Sequence, residues 1–160
     1  MTVHPIARGT LAFLLGTIAL LVGTGCLGAE GGAEAGSSSR ITVADAYVPQ
    51  PAGDVAAAYM TITNDGGGND TLLGVRTEAS RIAEVHETTM EGPTVSMRAV
   101  ESLEIPAGEV VALEPGRFHV MLIEPTAPLE VGDQILLVVT FEEAGDVEVL
   151  AEVVASGGMR

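Results

Sequence analysis

The chain has 160 residues, enough for one domain of ordinary size, and its hydrophobic content of 47% is typical of a protein that buries a core. It carries 22 acidic residues against 7 basic ones, all of them Arg, for a net charge of -15. This charge disfavours binding to phosphate backbones or anionic lipid, and an aromatic content of 3% offers no platform for stacked bases. We therefore expect no nucleic-acid partner. A single Cys also excludes an internal disulfide and a thiolate metal cluster.

The N-terminal segment has the form of a signal peptide. Residues 1–8 carry one Arg and no acid, and residues 11–22 form a nearly unbroken apolar run. The run is shorter than the roughly 20 residues that a membrane-spanning helix needs. The sequence therefore predicts an export signal over residues 1–25, with an uncleaved membrane anchor as the alternative.

The end of this signal resembles the lipobox of bacterial lipoproteins. Small residues precede Cys26, which would receive lipid and become the mature N-terminus, although Gly23 stands where Leu is usual. The alternative is an ordinary signal peptide with an incidental Cys, but an exposed thiol is a liability in an exported protein. We predict lipidation of Cys26, which places the protein at the cell membrane, facing the periplasm or the cell exterior. A lipid anchor would be its only attachment to the membrane.

Composition divides the mature chain into three parts. Residues 26–40 are rich in Gly, Ala and Ser and poor in large apolar side chains, which predicts a flexible tether. Residues 41–153 form the folded domain, and residues 154–160 are predicted to be a disordered tail.

The folded domain is predicted to be all-β. Short segments rich in Val, Ile, Thr and Leu alternate with Gly, Pro and Asn or Asp, without a sustained helical period. The nine predicted strands cover residues 41–48, 55–64, 71–76, 83–90, 94–100, 109–113, 119–123, 134–141 and 147–153. This number of short strands indicates a sandwich or Greek-key barrel. The Gly-rich segment 64–70 is interpreted as a turn between two strands.

Two His and two Met residues form a candidate metal site. His119 and Met121 are two residues apart, so they share one face of a strand. His86 and Met97 flank a predicted hairpin turn at residues 91–93, which could bring them together across adjacent strands. Thioethers are soft ligands that select Cu(I), and imidazole accepts copper readily. The four side chains together therefore suit copper.

Taken singly, these residues have simpler interpretations. Met97 and Met121 could fill gaps in the core, as Met often does. Met60 lies within a predicted strand and is interpreted as a core residue. Met90 could pack at the core or its rim, or could act as an auxiliary ligand or lid, and Met159 lies in the predicted tail.

The combined spacing H-x10-M-x21-H-x-M matches the signature of the PCu(A)C family of periplasmic copper chaperones at every position. The segments Ile41–Tyr47, Ala57–Asn64 and Gly116–Leu122 also resemble the family's first two strands and the strand bearing its last two ligands, and the resemblance spans residues 41–153. It implies a cupredoxin-like Greek-key β-barrel that binds one Cu(I) through His86, Met97, His119 and Met121. It further implies delivery of copper for the Cu(A) centre of cytochrome c oxidase, with oxidase subunit II or a Sco-type thiol protein as the receiving partner.

The expected function is thus that of a monomeric copper carrier and not of an enzyme. An electron-transfer site would need a Cys ligand, and a zinc hydrolase of the HExxH type would need a motif that the sequence does not contain. Two alternatives stay open: a periplasmic copper buffer that serves resistance, and a β-sandwich for adhesion or scaffolding that binds no metal.

Overall fold

The computed structural model of the protein describes residues 38–92 and 94–157, with the side chain of Glu91 left out. In these residues every regular element is a β-strand: β1 (Ile41–Pro49), β2 (Val55–Asn64), β3 (Asp70–Arg76), β4 (Ser80–Glu91), β5 (Thr94–Ala99), β6 (Leu103–Ile105), β7 (Val110–Leu113), β8 (Phe118–Pro125), β9 (Gln134–Phe141) and β10 (Gly145–Val154). The predicted all-β class is confirmed. All nine predicted strands are present, and the additional strand β6 has only three residues, too few for an alternating pattern to show.

Several predictions from the sequence fall outside this part of the chain. The export signal, Cys26 and Met159 all lie beyond the described residues, as does most of the predicted tether. Among the residues that the structure does describe, no helix is long and apolar enough to cross a membrane.

Strand β2 joins the two halves of the sheet. The strands follow the order β5-β4-β8-β2-β1-β10-β9-β3-β6, and β7 also pairs with β2. The first half of β2, from Val55, pairs with β8, whereas its second half, from Met60, pairs with β7. Its other edge pairs with β1, which in turn lies parallel to β10. This order places β8 between β2 and β4, so two neighbouring strands fix its register.

Alternation along the strands separates a core face from an outer face. In β2 the residues Ala56, Ala58, Met60 and Ile62 are buried, and the residues between them are only partly buried. Strand β9 shows the same period of two. Met60 is 2% exposed, which confirms its interpretation as a core residue.

The turn between β2 and β3 is held by a fully buried amide. The side chain of Asn64 accepts hydrogen bonds from the backbone N–H groups of Arg40 (3.1 Å) and Gly66 (3.0 Å). It donates two more, to the carbonyl oxygens of Gly68 (2.8 Å) and Ile105 (3.1 Å). Because an amide side chain can donate twice and accept at its oxygen, Asn64 is fully satisfied.

A buried carboxylate closes the other end of the same turn. Asp70, 2% exposed, accepts hydrogen bonds from the Ser39 hydroxyl (2.6 Å) and from the backbone N–H groups of Thr71 (2.7 Å), Glu143 (2.9 Å) and Ala144 (3.0 Å). Burial alone would raise the pKa of Asp70, but these hydrogen bonds outweigh it and lower the pKa below its usual value. We call Asn64 and Asp70 together the loop anchor.

Residues 38–40, which the sequence assigns to the tether, lie against this turn. The backbone of Ser38 accepts a hydrogen bond from Gly67, and that of Arg40 accepts one from Asp65. Gly66 lies so close to Ser38 and Ser39 that a Cβ at this position would overlap their backbone atoms. The ordered part of the domain therefore includes at least three residues before β1.

Candidate metal centre

The pairing of β4 with β8 places the two candidate His ligands directly opposite each other. His86 is the register partner of His119, and their ring centroids are 5.9 Å apart. Their strand neighbours Val85 and Val120 are buried in the core, so both rings lie on the outer face of the sheet. Even so, the His119 residue is only 4% exposed and the His86 side chain only 14%.

Both candidate Met ligands lie on the same face as the His pair. Met121 follows His119 by two residues on β8 and is half-buried, and the two residues share a strand face, as the sequence predicts. On β5, Ala99 is the register partner of His86, and Met97 precedes Ala99 by two residues. Met97 is therefore a diagonal neighbour of His86, within reach of a long side chain, and it is 50% exposed. We call these two His and two Met residues the His–Met site.

The surroundings of His86 leave one ring nitrogen open. Its Nε2 lies 3.0 Å from Oε2 of Glu84. Since a carboxylate only accepts hydrogen bonds, Nε2 carries the proton in the neutral ring and Nδ1 presents its lone pair. Within the described residues, this buried Nδ1 has no hydrogen-bond partner. A buried polar atom without a partner costs about 1–3 kcal/mol, and a metal ion would remove that cost by accepting the lone pair.

The surroundings of His119 open the other ring nitrogen. Its Nδ1 lies 3.3 Å from the carbonyl oxygen of Arg117, which can only accept a hydrogen bond. The proton is therefore on Nδ1, and Nε2 presents the lone pair. A hydrogen bond of this kind orients a ligand ring and raises its basicity. The two facing rings thus offer Nδ1 from His86 and Nε2 from His119.

Aromatic packing supports His119 from the side away from His86. The ring of Tyr59 on β2 lies 6.3 Å from that of His119, and Tyr47 on β1 lies 5.3 Å from Tyr59. Burial, with a smaller contribution from Tyr47, raises the pKa of Tyr59, so its phenol stays protonated and adds no negative charge. The four rings form a row across β1, β2, β8 and β4 that limits the movement of His119.

Glu84 and Tyr59 belong to the surroundings of the site, although the sequence did not point to them. Glu84 is two residues before His86, and this same-face spacing is a signal from which its contact could have been predicted. Tyr59 lies next to His119 because β2 pairs with β8, and no local sequence pattern predicts that pairing. Met90, on the same face as His86, is 72% exposed, so it is not a core residue.

The donor set determines which ions the site can hold. No three His, Cys, Asp or Glu side chains in the described part of the chain converge as a metal site. The His–Met site instead combines two imidazoles with two thioethers, and thioethers bind soft cations such as Cu(I). An ion held here would be bound by the buried ring of His119 and the largely buried ring of His86, with the half-exposed Met97 beside them.

The fold and this donor set define a class, that of β-domains similar to PCuAC copper-binding domains. The chain is similar to the apo PCuAC domain of PmoF2, with a TM-score of 0.63 and 25% identity over 77% of this chain and 96% of that one. It is also similar to the Cu(I) form of DR1885 from Deinococcus radiodurans, with a TM-score of 0.59 and 28% identity over 81% of this chain and 87% of that one. Both structures support the predicted resemblance to the PCu(A)C family.

A narrower assignment comes from sequence families. Residues 41–153 match the family described as "Putative lipoprotein LpqE-like". The chain is also 32% identical over 130 residues to "Putative lipoprotein Lxx21020" of Leifsonia xyli subsp. xyli (strain CTCB07), covering 78% of each protein. The chain belongs to the LpqE-like lipoprotein family.

Proposed function

We propose that the protein binds one Cu(I) ion at the His–Met site and carries it outside the cytoplasm to a receiving protein. The observation that carries this proposal is the buried Nδ1 of His86, which has no hydrogen-bond partner among the described residues, in a ring whose centroid lies 5.9 Å from that of His119. The similarity to the Cu(I) form of DR1885 supports copper as the ion.

The site suits transfer because its ligands differ in exposure. The two imidazoles are nearly buried and hold the ion in place, whereas Met97 is half exposed and can be displaced first. Thiolates of a receiving protein bind Cu(I) more strongly than a thioether does, so they can replace the Met ligands one at a time. The ion keeps its charge throughout, and no covalent bond of a substrate is made or broken. The protein therefore acts as a carrier and not as an enzyme.

Anaerobic competition titration tests the choice of metal. We expect one Cu(I) per chain, bound far more tightly than Zn(II), because two thioethers contribute little to a harder ion. Comparable affinities for the two metals, or two equally tight Cu(I) ions per chain, would contradict the proposal. A chain that binds no Cu(I) would instead favour an adhesion or scaffold role.

We further propose that the copper is destined for the Cu(A) centre of cytochrome c oxidase, through oxidase subunit II or a Sco-type thiol protein. This proposal depends on the resemblance to the PCu(A)C family. Deletion of the gene tests it: loss of oxidase activity that added copper restores supports delivery. Normal oxidase activity together with increased copper sensitivity would show a copper buffer.

Attachment to the membrane is proposed to occur through lipid on Cys26. Membership of a lipoprotein family supports it, as does the lipobox-like sequence before this Cys. Cys26→Ser should move the protein from the membrane fraction to the soluble fraction, because the lipid supplies the binding free energy. If Cys26→Ser stays in the membrane fraction as firmly as the parent, the apolar segment 11–22 is the anchor.

A further inference from the structure

The hairpin formed by β4 and β5 extends beyond the end of β8, the strand that carries His119. Strand β8 begins at Phe118, opposite Glu87, and the last bond across this edge runs from the Thr88 N–H to the Arg117 carbonyl, at 3.0 Å. Beyond this point β4 pairs only with β5, up to the pair of Glu91 with Thr94. We call residues 88–92 and 94–97 the hairpin arm.

Exposed apolar side chains lie along one face of this arm. Met90 is 72% exposed, its register partner Val95 is 60% exposed, and Met97 is 50% exposed. The register is regular from His86 to Glu91, so Met90 lies on the same face as His86, four residues away. The arm therefore continues the His–Met site outwards with one more thioether.

Met90 and Met97 are close enough to bind one ion. Met97 is two residues beyond the partner of Met90, which makes the two residues diagonal neighbours with Cα atoms about 7–8 Å apart. Both side chains are long and unbranched, with three rotatable bonds each, so either sulfur can move several ångströms. Neither is fixed by burial.

We infer that Met90 is a reserve Cu(I) ligand, which binds the ion in exchange with Met97 while copper enters or leaves the His–Met site. This inference depends on the proposed function. In the exchange a bond from copper to the Met90 sulfur forms as the bond to the Met97 sulfur breaks. Both donors are neutral lone pairs and the metal stays Cu(I), so no electron or proton is transferred.

A double substitution separates a sulfur ligand from an apolar contact. Leu keeps the approximate volume and the apolar character of Met but has no sulfur. In the full chain carrying Met97→Leu, Met90 should take over as a sulfur ligand. Adding Met90→Leu should then weaken Cu(I) binding by at least about threefold more, because it removes the thioether that takes the place of Met97. The matched control adds Met60→Leu to Met97→Leu, the same chemical change in the core, and should bind Cu(I) as Met97→Leu alone does.

The measurement is an anaerobic competition titration with Cu(I) and a chromophoric Cu(I) chelator, after thermal unfolding has shown that each variant is folded. A further loss of about threefold or more in the Met90→Leu/Met97→Leu chain supports the inference. A smaller loss overturns it and leaves the proposed function intact. If the unchanged chain fails to bind Cu(I), the proposed function is wrong and the inference falls with it.

Discussion

Two polar clusters in this protein differ in whether all of their buried hydrogen-bonding atoms have partners. In the loop anchor, Asn64 and Asp70 each make four hydrogen bonds through their side chains. In the His–Met site, each ring makes one hydrogen bond, and Nδ1 of His86 is buried with no partner in the described residues. The domain thus satisfies its buried polar groups at one place and leaves one open at another.

This difference in hydrogen bonding indicates a different role for each cluster. Buried polar groups in folded proteins nearly always have partners, and the loop anchor follows that rule. It joins the residues before β1 to the turn between β2 and β3, so its role is structural. The open nitrogen of His86 adds nothing to the stability of the metal-free fold, and a bound ion would be its partner. Substitutions should therefore separate stability from copper binding.

The largest expected effect on stability is at the loop anchor. Asp70→Ala leaves four hydrogen-bond donors without their acceptor, so we expect the free energy of unfolding to fall by about 3 kcal/mol or more. Cu(I) affinity of the folded fraction should stay unchanged. Urea unfolding of the apo protein and copper titration at low temperature measure the two quantities. A loss of stability below about 1 kcal/mol would show that this cluster is not an anchor.

His86→Ala should have the opposite effects: little loss of stability and a large loss of Cu(I) affinity. It removes a buried nitrogen that has no partner in the described residues, and with it one partly exposed hydrogen bond to Glu84, so the cost in stability should be only about 1 kcal/mol. Loss of an imidazole ligand should weaken Cu(I) binding at least about a hundredfold, which corresponds to about 2.7 kcal/mol. The same two measurements apply. An apo protein destabilised as strongly as Asp70→Ala would identify His86 as a structural residue.

A smaller effect is expected from the carboxylate that orients His86. Glu84→Ala removes the acceptor of the Nε2 proton, and losing such a partner typically weakens metal binding by about tenfold or more. Glu87→Ala is the matched control, because Glu87 lies on the opposite face of β4 and binds Arg98. Equal Cu(I) affinities for the two variants would exclude a positioning role for Glu84.

The smallest effect is the pH dependence of the loop anchor. Hydrogen bonds hold the pKa of Asp70 below its usual value, whereas the unfolded chain has a pKa of about 3.9 for Asp. The resulting stability is fully present above the unfolded pKa and is lost as the pH falls through the folded pKa. The difference in free energy of unfolding between the parent and Asp70→Asn should thus shrink from pH 7 to pH 3. A difference that does not change with pH would contradict this account of Asp70.

The sequence predicts the local parts of the site. The spacing of His119 and Met121 places them on one strand face, and the turn at residues 91–93 predicts the hairpin that carries Met97. Both signals lie within short segments, where the period of a strand and the chemistry of a turn are sufficient. The fold class follows from the same alternation.

The remaining features depend on contacts between distant segments. The facing of His86 and His119 is set by the register of β4 on β8, which the sequence does not encode in any short pattern. Asn64 and Asp70 fall in a segment interpreted only as a turn, because their partners lie near residues 40, 105 and 143. From the sequence alone, such polar residues are therefore expected to be exposed. Only the tertiary structure shows that they are buried.

X-ray absorption at the copper edge of the Cu(I)-loaded protein reports the nitrogen and sulfur atoms that bind the ion. We expect both elements around copper in the parent protein, and less sulfur in Met121→Leu. That substitution conserves volume and should cost less than about 1.5 kcal/mol in apo stability. Copper bound without sulfur in the parent, or with undiminished sulfur when Met121→Leu is combined with Met90→Leu, would contradict a site built from two His and two Met.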